Sequence, residues 1–595
     1  MVDTSAPPGD VAAAPLPEAS SNPRRLRSAR WYESADMRGF SHRQRTQQMG
    51  LRREEFVGRP VVAIINTWSE MSPCHIHLRQ RAEAVKRGVL LGGGYPVELP
   101  ALSVGEVMVK PTTMLYRNFL AMETEELLRS HPIDGAVLLG GCDKSVPGML
   151  MGAISMDLPV IVCPAGPMSN GQWRGMTTGA GTHTRKYWDE LRAGNITADD
   201  WIDLESRMTR SIGTCNTMGT ASTMTSIADA LGLTFTGASS IPAADSGHVR
   251  MASACGERIV SMIGEDLRPS KILTSRSFHN AAVAYMSLGG STNAAIHLIA
   301  MAGRAGVSLS LDDLAEVARI TPVCANLFPS GDRLMEDFFF AGGLSALLAK
   351  LKDHLALDCL TVEGRTLGEA LAKGAECCDD DVIRGVDNPV VPLSRGRTLS
   401  VLRGNLCPDG AVLKSSAAEP RLLQHAGPAL VFDSHAELSA RIDDPNLEVD
   451  ENTVLILRNA GPVGAPGMPE WGNLPIPKKL LARGVRDMVR ISDARMSGTH
   501  YGCCIVHAAP EAAVGGPLAL VKTGDPVRLD VNAGRLDMEV ALTEIERRRA
   551  AWRAPTSPYR RSYAALYQAH VQQAPQGCDF DFLAGRAPTP EPAIY

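Results

Sequence analysis

Short, wholly apolar runs that alternate with helical stretches constrain the fold of this chain most strongly. Residues 61–65, 135–139 and 160–162 lack polar side chains, as is typical of strands buried on both faces. Residues 75–89 and 112–130, which separate these runs, have the pattern of helices. Repeated alternation of this kind predicts a parallel sheet covered by helices.

A turn-rich segment at residues 385–397 precedes a part of the chain with a different pattern. Beyond it, short predicted strands are separated by Gly, Pro and Asp turns, with few long helices before about residue 543. These strands are predicted at residues 399–403, 429–432, 454–457 and 527–531. The pattern favours a mainly β domain, either a barrel or a sandwich.

The length of 595 residues exceeds what one hydrophobic core usually serves, so we expect two domains. An α/β domain is predicted at residues 23–390, and a β-rich, barrel-like domain at residues 391–595. Residues 1–22 are rich in Pro, Ala and Ser and predict a disordered tail.

Composition restricts the classes of function. The net charge of -5 comes from nearly balanced acids and bases, which disfavours binding to nucleic acid or anionic lipid. No apolar run approaches the ~18 residues of a membrane span, and the N-terminus lacks the apolar core of a secretory signal. We therefore expect a cytoplasmic protein that acts on a small molecule.

Three of the 13 cysteines occupy loops where ligands bind in open α/β sheets. Cys74 and Cys142 follow predicted strands, and Cys215 lies in a Gly/Thr-rich loop ahead of a helical stretch. Three converging thiolates would hold iron and leave one coordination position open to substrate. Alternatively, all three are ordinary buried cysteines that pack as small apolar side chains, which spacing alone favours.

Several acids near these cysteines are candidate ligands of a hard cation. Asp143 and Lys144 directly follow Cys142, while Glu106 and Glu470 lie in other loops. Carboxylates combined with water and substrate oxygens are the ligands that Mg2+ prefers. Taken singly, each of these acids is more often solvated or a helix cap.

Ser497 lies in the segment ISDARMSGT, where a predicted strand runs into a loop. It is a candidate base or nucleophile, but Ser-Gly is also a common turn dipeptide, and the chain has no G-x-S-x-G motif. Residues 289–293 would either hold a carboxylate at a helix N-terminus or only cap that helix. Neither a Walker A loop nor a strand-bound G-x-G-x-x-G is present, which disfavours ATP- and nicotinamide-dependent functions.

Several long motifs occur in an order that resembles the dihydroxy-acid and sugar-acid dehydratase family. They are SPC at 72–74, GGCDKSVPGMLMGA at 140–153, GTCNTMGTASTM at 213–224, GGSTNAAIHL at 289–298 and DARMSGT at 493–499. The resemblance covers essentially the whole chain after the first ~25 residues. It is greatest to the L-arabinonate dehydratases, through INTWSEMSPC, VKPTTMLYRNFLAMETEELLRSHP and GMPEWGNLPIPKKL.

This resemblance implies an iron–sulfur cluster, in this branch a 2Fe-2S cluster with one iron not fully ligated by protein. Its ligands would be Cys74, Cys142 and Cys215. The resemblance also implies that Ser497 is the catalytic base and that Thr499 lies beside it.

The resemblance further implies an Mg2+ site formed by Glu106, Asp143 and Glu470. Lys144 would be the fourth ligand and part of the catalytic set, in a carbamylated form. Carbamylation converts a cation that would repel Mg2+ into an anionic oxygen ligand, so the modification is chemically reasonable.

The expected function is a lyase that removes water from a sugar acid, first of all L-arabinonate, to give a 2-keto-3-deoxy acid. The resemblance also implies a homodimer or homotetramer, and the balanced charge leads us to expect no nucleic-acid or membrane partner. Alternative substrates are the dihydroxy acids of branched-chain amino-acid biosynthesis, D-xylonate, D-fuconate and galactonate. Alternatives from other classes are an iron–sulfur redox sensor without a catalytic pocket and a serine hydrolase.

Overall fold

The computed structural model describes residues 25–374, 376–585 and 589–594. The predicted disordered tail at residues 1–22 lies outside these ranges. Across the described residues we find no helix that combines the length and the apolar character needed to span a membrane.

A parallel sheet of four strands, in the order β2-β1-β3-β4, forms the centre of the N-terminal part. The strands of this part, including a separate two-stranded hairpin β5-β6, are β1 Val61–Asn66, β2 Tyr95–Pro100, β3 Gly135–Gly140, β4 Val160–Pro164, β5 Gly171–Trp173 and β6 Met176–Thr178. Every residue of β1, β3 and β4 is buried, as the apolar runs predict. Both faces of the sheet are therefore covered.

Helices supply most of the remaining N-terminal part. They are α1 Ala29–Tyr32, α2 Met37–Gln48, α3 Leu78–Leu91, α4 Met114–Ser130, α5 Ser145–Met156, α6 Thr182–Ala193, α7 Ala198–Met208, α8 Thr220–Ala230, α9 Ser246–Glu265, α10 Pro269–Ile272, α11 Ser275–Ser287, α12 Asn293–Arg304, α13 Leu311–Ile320, α14 Met335–Phe340, α15 Gly343–Lys350 and α16 Leu367–Leu371. Helices α3 and α9 pack closely at Gly88 and Gly256, where an added Cβ would lie 1.8 Å and 2.1 Å from backbone oxygens of the other helix. These glycines therefore permit the close approach of the two helices.

The C-terminal part contains an eight-stranded sheet in the order β14-β13-β9-β10-β11-β12-β8-β7. Its strands are β7 Ser400–Leu402, β8 Gly410–Leu413, β9 Gln424–Phe432, β10 Val454–Leu457, β11 Arg490–Ser492, β12 Cys504–Ala509, β13 Pro526–Asp530 and β14 Arg535–Met538, with helices α17 His435–Arg441, α18 Lys478–Leu481, α19 Leu542–Ala551 and α20 Ser562–His570. The central strands β9 to β12 are parallel and the flanking strands antiparallel. A bridge between Arg403 and Arg535 joins the two edges, so the sheet is nearly closed and barrel-like.

The predicted fold class is confirmed: a parallel, helix-covered sheet is followed by a β-rich, barrel-like unit. Three helix boundaries were predicted wrongly: α3 begins at Leu78 and ends at Leu91 rather than at residues 75 and 89, and α4 begins at Met114 rather than at residue 112. The turn at residues 72–77 instead buries His75 and His77, whose rings contact Ser103 Oγ and the Ala165 carbonyl. Side-chain contacts made across the fold therefore decide where α3 begins.

A buried ion pair between Arg304 and Asp579 attaches the C-terminal segment to α12, with Nε–Oδ2 and Nη2–Oδ1 distances of 2.6 Å and 3.0 Å. Replacing one partner leaves a buried charge uncompensated, which typically costs about 3–5 kcal/mol. We predict that Asp579→Asn lowers the melting temperature by about 5 °C or more. In the control, Asp358→Asn breaks the exposed pair with Arg276 and should leave the melting temperature nearly unchanged. Equal effects of the two substitutions would contradict this account.

Candidate active site

Loops at the carboxyl ends of neighbouring strands supply the predicted site residues. In the N-terminal sheet, Cys74 follows β1, Glu106 follows β2, and Cys142 follows β3. In the barrel, Glu470 and Ser497 follow the adjacent parallel strands β10 and β11. Because parallel strands end at the same edge of a sheet, this topology gathers chemistry-bearing side chains from distant parts of the sequence.

The structure brings the three predicted cysteine ligands together. The pKa of the Cys74 thiol is raised by its hydrogen bond to Cys142 and by burial, with a further contribution from Cys215. Burial also raises the pKa of Cys215, and the nearby Asp143 and Cys142 add to this effect. The three thiols therefore lie near one another, with Cys74 and Cys142 buried and Cys215 half-buried.

The backbone around Cys142 is held by two hydrogen bonds. The Glu106 N–H donates to Cys142 Sγ at 3.4 Å, and the Cys142 N–H donates to His75 Nε2 at 3.1 Å. Burial lowers the pKa of His75 to about 3, so the ring is neutral and its Nδ1 is free to donate to Ser103 Oγ at 2.9 Å. These contacts fix the direction in which the thiol of Cys142 points.

The donor set fits an iron–sulfur cluster held by three thiolates. Cluster ligands are thiolates, and an amide that donates to a ligand sulfur is a usual feature of such sites. The raised pKa values of Cys74 and Cys215 mean that, without metal, these groups carry protons. Loading of iron would therefore release protons, as metal binding by thiols does in general.

Three carboxylates meet a short distance from Cys142. Glu106, Asp143 and Glu470 each offer an oxygen, and these oxygens lie within 4.8 Å of one another. The fully buried Nζ of Lys144 lies 3.0 Å from Glu106, 3.2 Å from Asp143 and 3.3 Å from Glu470. A cationic group thus already occupies the space between the three acids.

Opposing effects determine the protonation of these groups. Burial and the charge of Arg495 lower the pKa of Lys144, but the three carboxylates outweigh them and raise it overall. Burial raises the pKa of Glu106, but Lys144 and Arg495 outweigh it and lower that pKa. For Glu470 burial dominates, and its pKa is raised.

The arrangement fits a divalent cation. Three carboxylates face two cationic side chains, Lys144 and Arg495, which leaves one negative charge in excess. Oxygen ligands converging on one point are what Mg2+ requires. Carbamylation of Lys144 would replace the ammonium group with a fourth oxygen ligand and so increase the excess of negative charge.

Residues that sequence reasoning missed hold the carboxylates in place. Thr112 Oγ1 donates to Glu106 at 2.8 Å, and the Thr113 hydroxyl also donates to this carboxylate. Arg495 donates to Glu470 Oε1 and to Thr112 Oγ1, each at 2.9 Å. The position of Arg495 within the DARMSGT motif was the available signal.

Asn293 joins the carboxylate cluster to the loop of Ser497. Its Nδ2 donates to Glu470 Oε1 at 2.9 Å and to the Met496 carbonyl at 3.0 Å. The sequence left two roles open for residues 289–293, a carboxylate-binding segment or a helix cap. In the structure Asn293, the first residue of α12, holds a carboxylate of the protein itself.

Ser497 lies half-buried in a closely packed loop, with its Oγ 2.9 Å from Thr499 Oγ1. A Cβ added at Gly498 would lie 2.4 Å from Ser291 Oγ, so this position requires glycine. The Thr499 carbonyl accepts a hydrogen bond from the Thr182 hydroxyl at the beginning of α6. The hydroxyl pair is thus fixed from both sides.

Comparison with known proteins agrees with this arrangement. The N-terminal model of the dihydroxy-acid/6-phosphogluconate dehydratases matches residues 59–370, and the C-terminal model matches residues 381–578. The chain belongs to this dehydratase family.

Relatives in the family carry several substrate names. The 6-deoxy-6-sulfo-D-gluconate dehydratase of Pseudomonas putida is 68% identical over 96% of this chain and 98% of its own length. The L-arabinonate dehydratase of Rhizobium leguminosarum bv. trifolii is 48% identical over 95% and 97%. The D-xylonate dehydratase of Caulobacter vibrioides is 38% identical over 94% and 96%.

We predict that Cys142→Ser abolishes binding of iron and sulfide, because one of three converging sulfur ligands is lost. Iron, acid-labile sulfide and visible absorbance of anaerobically purified protein measure the effect. Cys359→Ser, at a half-buried cysteine outside this group, is the matched control and should keep the bound iron and sulfide. Full iron content in the Cys142 variant would exclude it as a ligand.

Proposed function

We propose that this chain dehydrates a six-carbon aldonic acid with a sulfonate at C6, to give the corresponding 2-keto-3-deoxy acid. The observation that carries the choice of substrate is the 68% identity with the sulfogluconate dehydratase, which extends over nearly the whole of both chains. The grouped thiols and carboxylates support the proposed dehydration chemistry.

Two cofactors belong to the proposal. Cys74, Cys142 and Cys215 would hold a 2Fe-2S cluster. The Mg2+ ligands would be Glu106, Asp143, Glu470 and carbamylated Lys144. When bound, these groups supply Lewis-acid positions for the substrate carboxylate and for the hydroxyl that departs.

Ser497 is the proposed base that removes the proton at C2. A serine hydroxyl is a poor base, so its ionised form must be stabilised. Thr499 Oγ1, at 2.9 Å, can donate a hydrogen bond to that form, and the buried positive charge of Arg495 lies two residues away in the chain. The electron pair of the C2–H bond then forms the C2–C3 double bond as the C3–O bond breaks, the 3-hydroxyl takes up a proton and leaves as water, and the enol rearranges to the 2-keto acid.

L-arabinonate is the second candidate substrate. Two dehydratases named for this sugar acid are 48% and 47% identical to the chain, and the sequence motifs resemble the same branch. This substrate has five carbons and no anion at its far end. Comparison of the two compounds therefore discriminates between the candidates.

Further parts of the proposal concern the state of the protein. The protein would form a homodimer or homotetramer in the cytoplasm and would have no nucleic-acid or membrane partner. Its two domains would meet near residue 390. Size measurement of the holoenzyme in solution tests the first of these.

An anaerobic assay of 2-keto acid formation tests the proposed function. The panel contains 6-deoxy-6-sulfogluconate, gluconate, L-arabinonate, D-xylonate and 2,3-dihydroxyisovalerate, each with Mg2+ and with a chelator. We expect the sulfonated acid to have the highest kcat/KM, by about 10-fold or more over gluconate, and the chelator to stop turnover. Activity on the branched dihydroxy acid alone, or on none of the panel, would overturn the proposal.

We predict that Ser497→Ala lowers kcat about 1,000-fold or more, since a positioned base typically contributes 10²–10⁴-fold. The iron, sulfide and Mg2+ content should not change. Ser206→Ala, at an exposed serine of α7, is the control and should retain full activity. If the Ser497 variant kept substantial turnover, another group would have to be the base.

A further inference from the structure

A buried lysine outside the acid cluster has no counter-ion. Lys414 directly follows β8, and its side chain is completely buried. Among the residues that the structure describes, no carboxylate lies within ion-pair distance of its Nζ, and this atom makes a single hydrogen bond. Burial of an amine without a charged partner is costly, so its presence in the core indicates a functional constraint that outweighs the cost.

The surroundings of Lys414 disfavour the charged form of its side chain. Burial alone lowers the pKa of Lys414 to about 7, and no charged group on the described strands and loops around it offsets this effect. Lys144 differs, because three carboxylates surround its Nζ. Above pH 7 the side chain of Lys414 is therefore mainly a neutral amine, which acts as a hydrogen-bond donor rather than as a charge.

The acceptor of this hydrogen bond lies in the N-terminal part of the chain. Lys414 Nζ donates to the carbonyl oxygen of Gly289 at 2.8 Å, which joins the end of a barrel strand to the segment at residues 289–293. In the described part of the chain, no backbone N–H donates to this carbonyl. The φ of Gly289 is +65°, a conformation that favours glycine, so the contact holds a turn that other residues rarely adopt.

The segment that Lys414 holds contacts the proposed catalytic loop. Ser291 Oγ lies 2.9 Å from Thr220 Oγ1, and the Ser291 N–H donates to Thr223 Oγ1 at 3.0 Å. A Cβ added at Gly498 would lie 2.4 Å from Ser291 Oγ. A displacement of this segment would therefore also displace the loop that carries the proposed base.

Asn293, four residues after Gly289, makes a second connection to the site. Its Nδ2 donates to Glu470 Oε1 at 2.9 Å and to the Met496 carbonyl at 3.0 Å. The same short segment thus contacts a proposed metal ligand and the backbone beside the proposed base. Lys414 is the side chain that attaches the first residue of this segment to the barrel.

We propose that Lys414 is a positioning residue for the dehydration reaction and acts through the Gly289 carbonyl. The inference rests on the proposed function, in which Ser497 is the base and Glu470 is a metal ligand. Lys414 makes no hydrogen bond to either group and instead holds the segment that contacts both. A misplacement of reacting groups by about 1 Å can cost about 100-fold in rate, so this indirect contact can affect kcat.

Lys414→Met tests the proposal, because methionine is a long, unbranched side chain without a hydrogen-bond donor. The substitution leaves the Gly289 carbonyl unpaired but also removes a buried amine, and these two effects on stability oppose each other. We expect the melting temperature at pH 8 to stay within about 3 °C of wild type. On the preferred aldonate, kcat should fall about 10- to 100-fold and KM should change less than about 3-fold, since Lys414 would not touch the substrate.

Two further variants test whether the hydrogen bond is responsible. Lys414→Gln keeps a neutral N–H donor on a slightly shorter side chain, so its kcat should lie between those of wild type and Lys414→Met. Lys373→Met changes an exposed lysine and should alter neither kcat nor the melting temperature. Iron, sulfide and Mg2+ content should equal those of wild type in all three variants.

A double substitution tests the path through the segment. Asn293→Ala already breaks the contact with Glu470, so adding Lys414→Met to it should lower kcat by less than about 3-fold more. If the two losses in kcat simply multiply, Lys414 does not act through this segment and the proposal is wrong.

The remaining outcomes separate failure of the positioning role from failure of the proposed function. If wild type dehydrates no aldonate, the proposed function fails and the positioning role fails with it. If wild type is active and Lys414→Met keeps kcat within about 2-fold, the function stands and the positioning role is wrong. A parallel fall of melting temperature and kcat, or a failure of Lys414→Met to fold together with equal losses in Lys414→Gln, would also overturn it, because both indicate a structural role.

Discussion

Three carboxylates around one buried nitrogen atom are the constraint on which the rest of the site depends. Glu106 and Asp143 come from the N-terminal sheet, whereas Glu470 comes from the barrel. Like charges at such distances repel, so their convergence requires a cation between them. Lys144 fills that position here, and in the proposed enzyme Mg2+ would do so, with carbamylated Lys144 as a further anionic ligand. The same carboxylates would therefore bind the metal ion and also hold the N-terminal part against the barrel.

The topology explains how this arrangement is built. Parallel strands in both sheets end where the site lies, and hydrogen bonds hold the loops that follow them. Arg495 and Asn293 connect the carboxylates to the segment that contains Ser497. A shift of the carboxylates would therefore also move Ser497. Distances of 2.9–3.0 Å at these contacts indicate tight coupling between the cation site and the proposed base.

Much of the fold was predictable because a short, wholly apolar run is a clear signal of a strand that is buried on both faces. Residues 61–65, 135–139 and 160–162 are all strands of the central sheet. The start of α3 was not predictable, since the contacts of His75 and His77 depend on residues far away in the sequence. The near closure of the sheet through Arg403 and Arg535 likewise depends on tertiary contacts.

For the candidate site, sequence motifs identified the thiols, acids and serine, but their roles stay predictions. The supporting residues Thr112 and Thr113 carry no spacing that marks them in the sequence. The choice among sugar acids depends on side-chain contacts that motif spacing does not show, so the assignment to L-arabinonate stays a prediction.

The most direct test of the central claim is a crystal structure of the anaerobically prepared holoenzyme, with anomalous diffraction recorded at the iron absorption edge. The account predicts a strong iron signal among the sulfur atoms of Cys74, Cys142 and Cys215, beside the carboxylate cluster. Iron bound elsewhere, or no signal in protein that is active as a dehydratase, would contradict it.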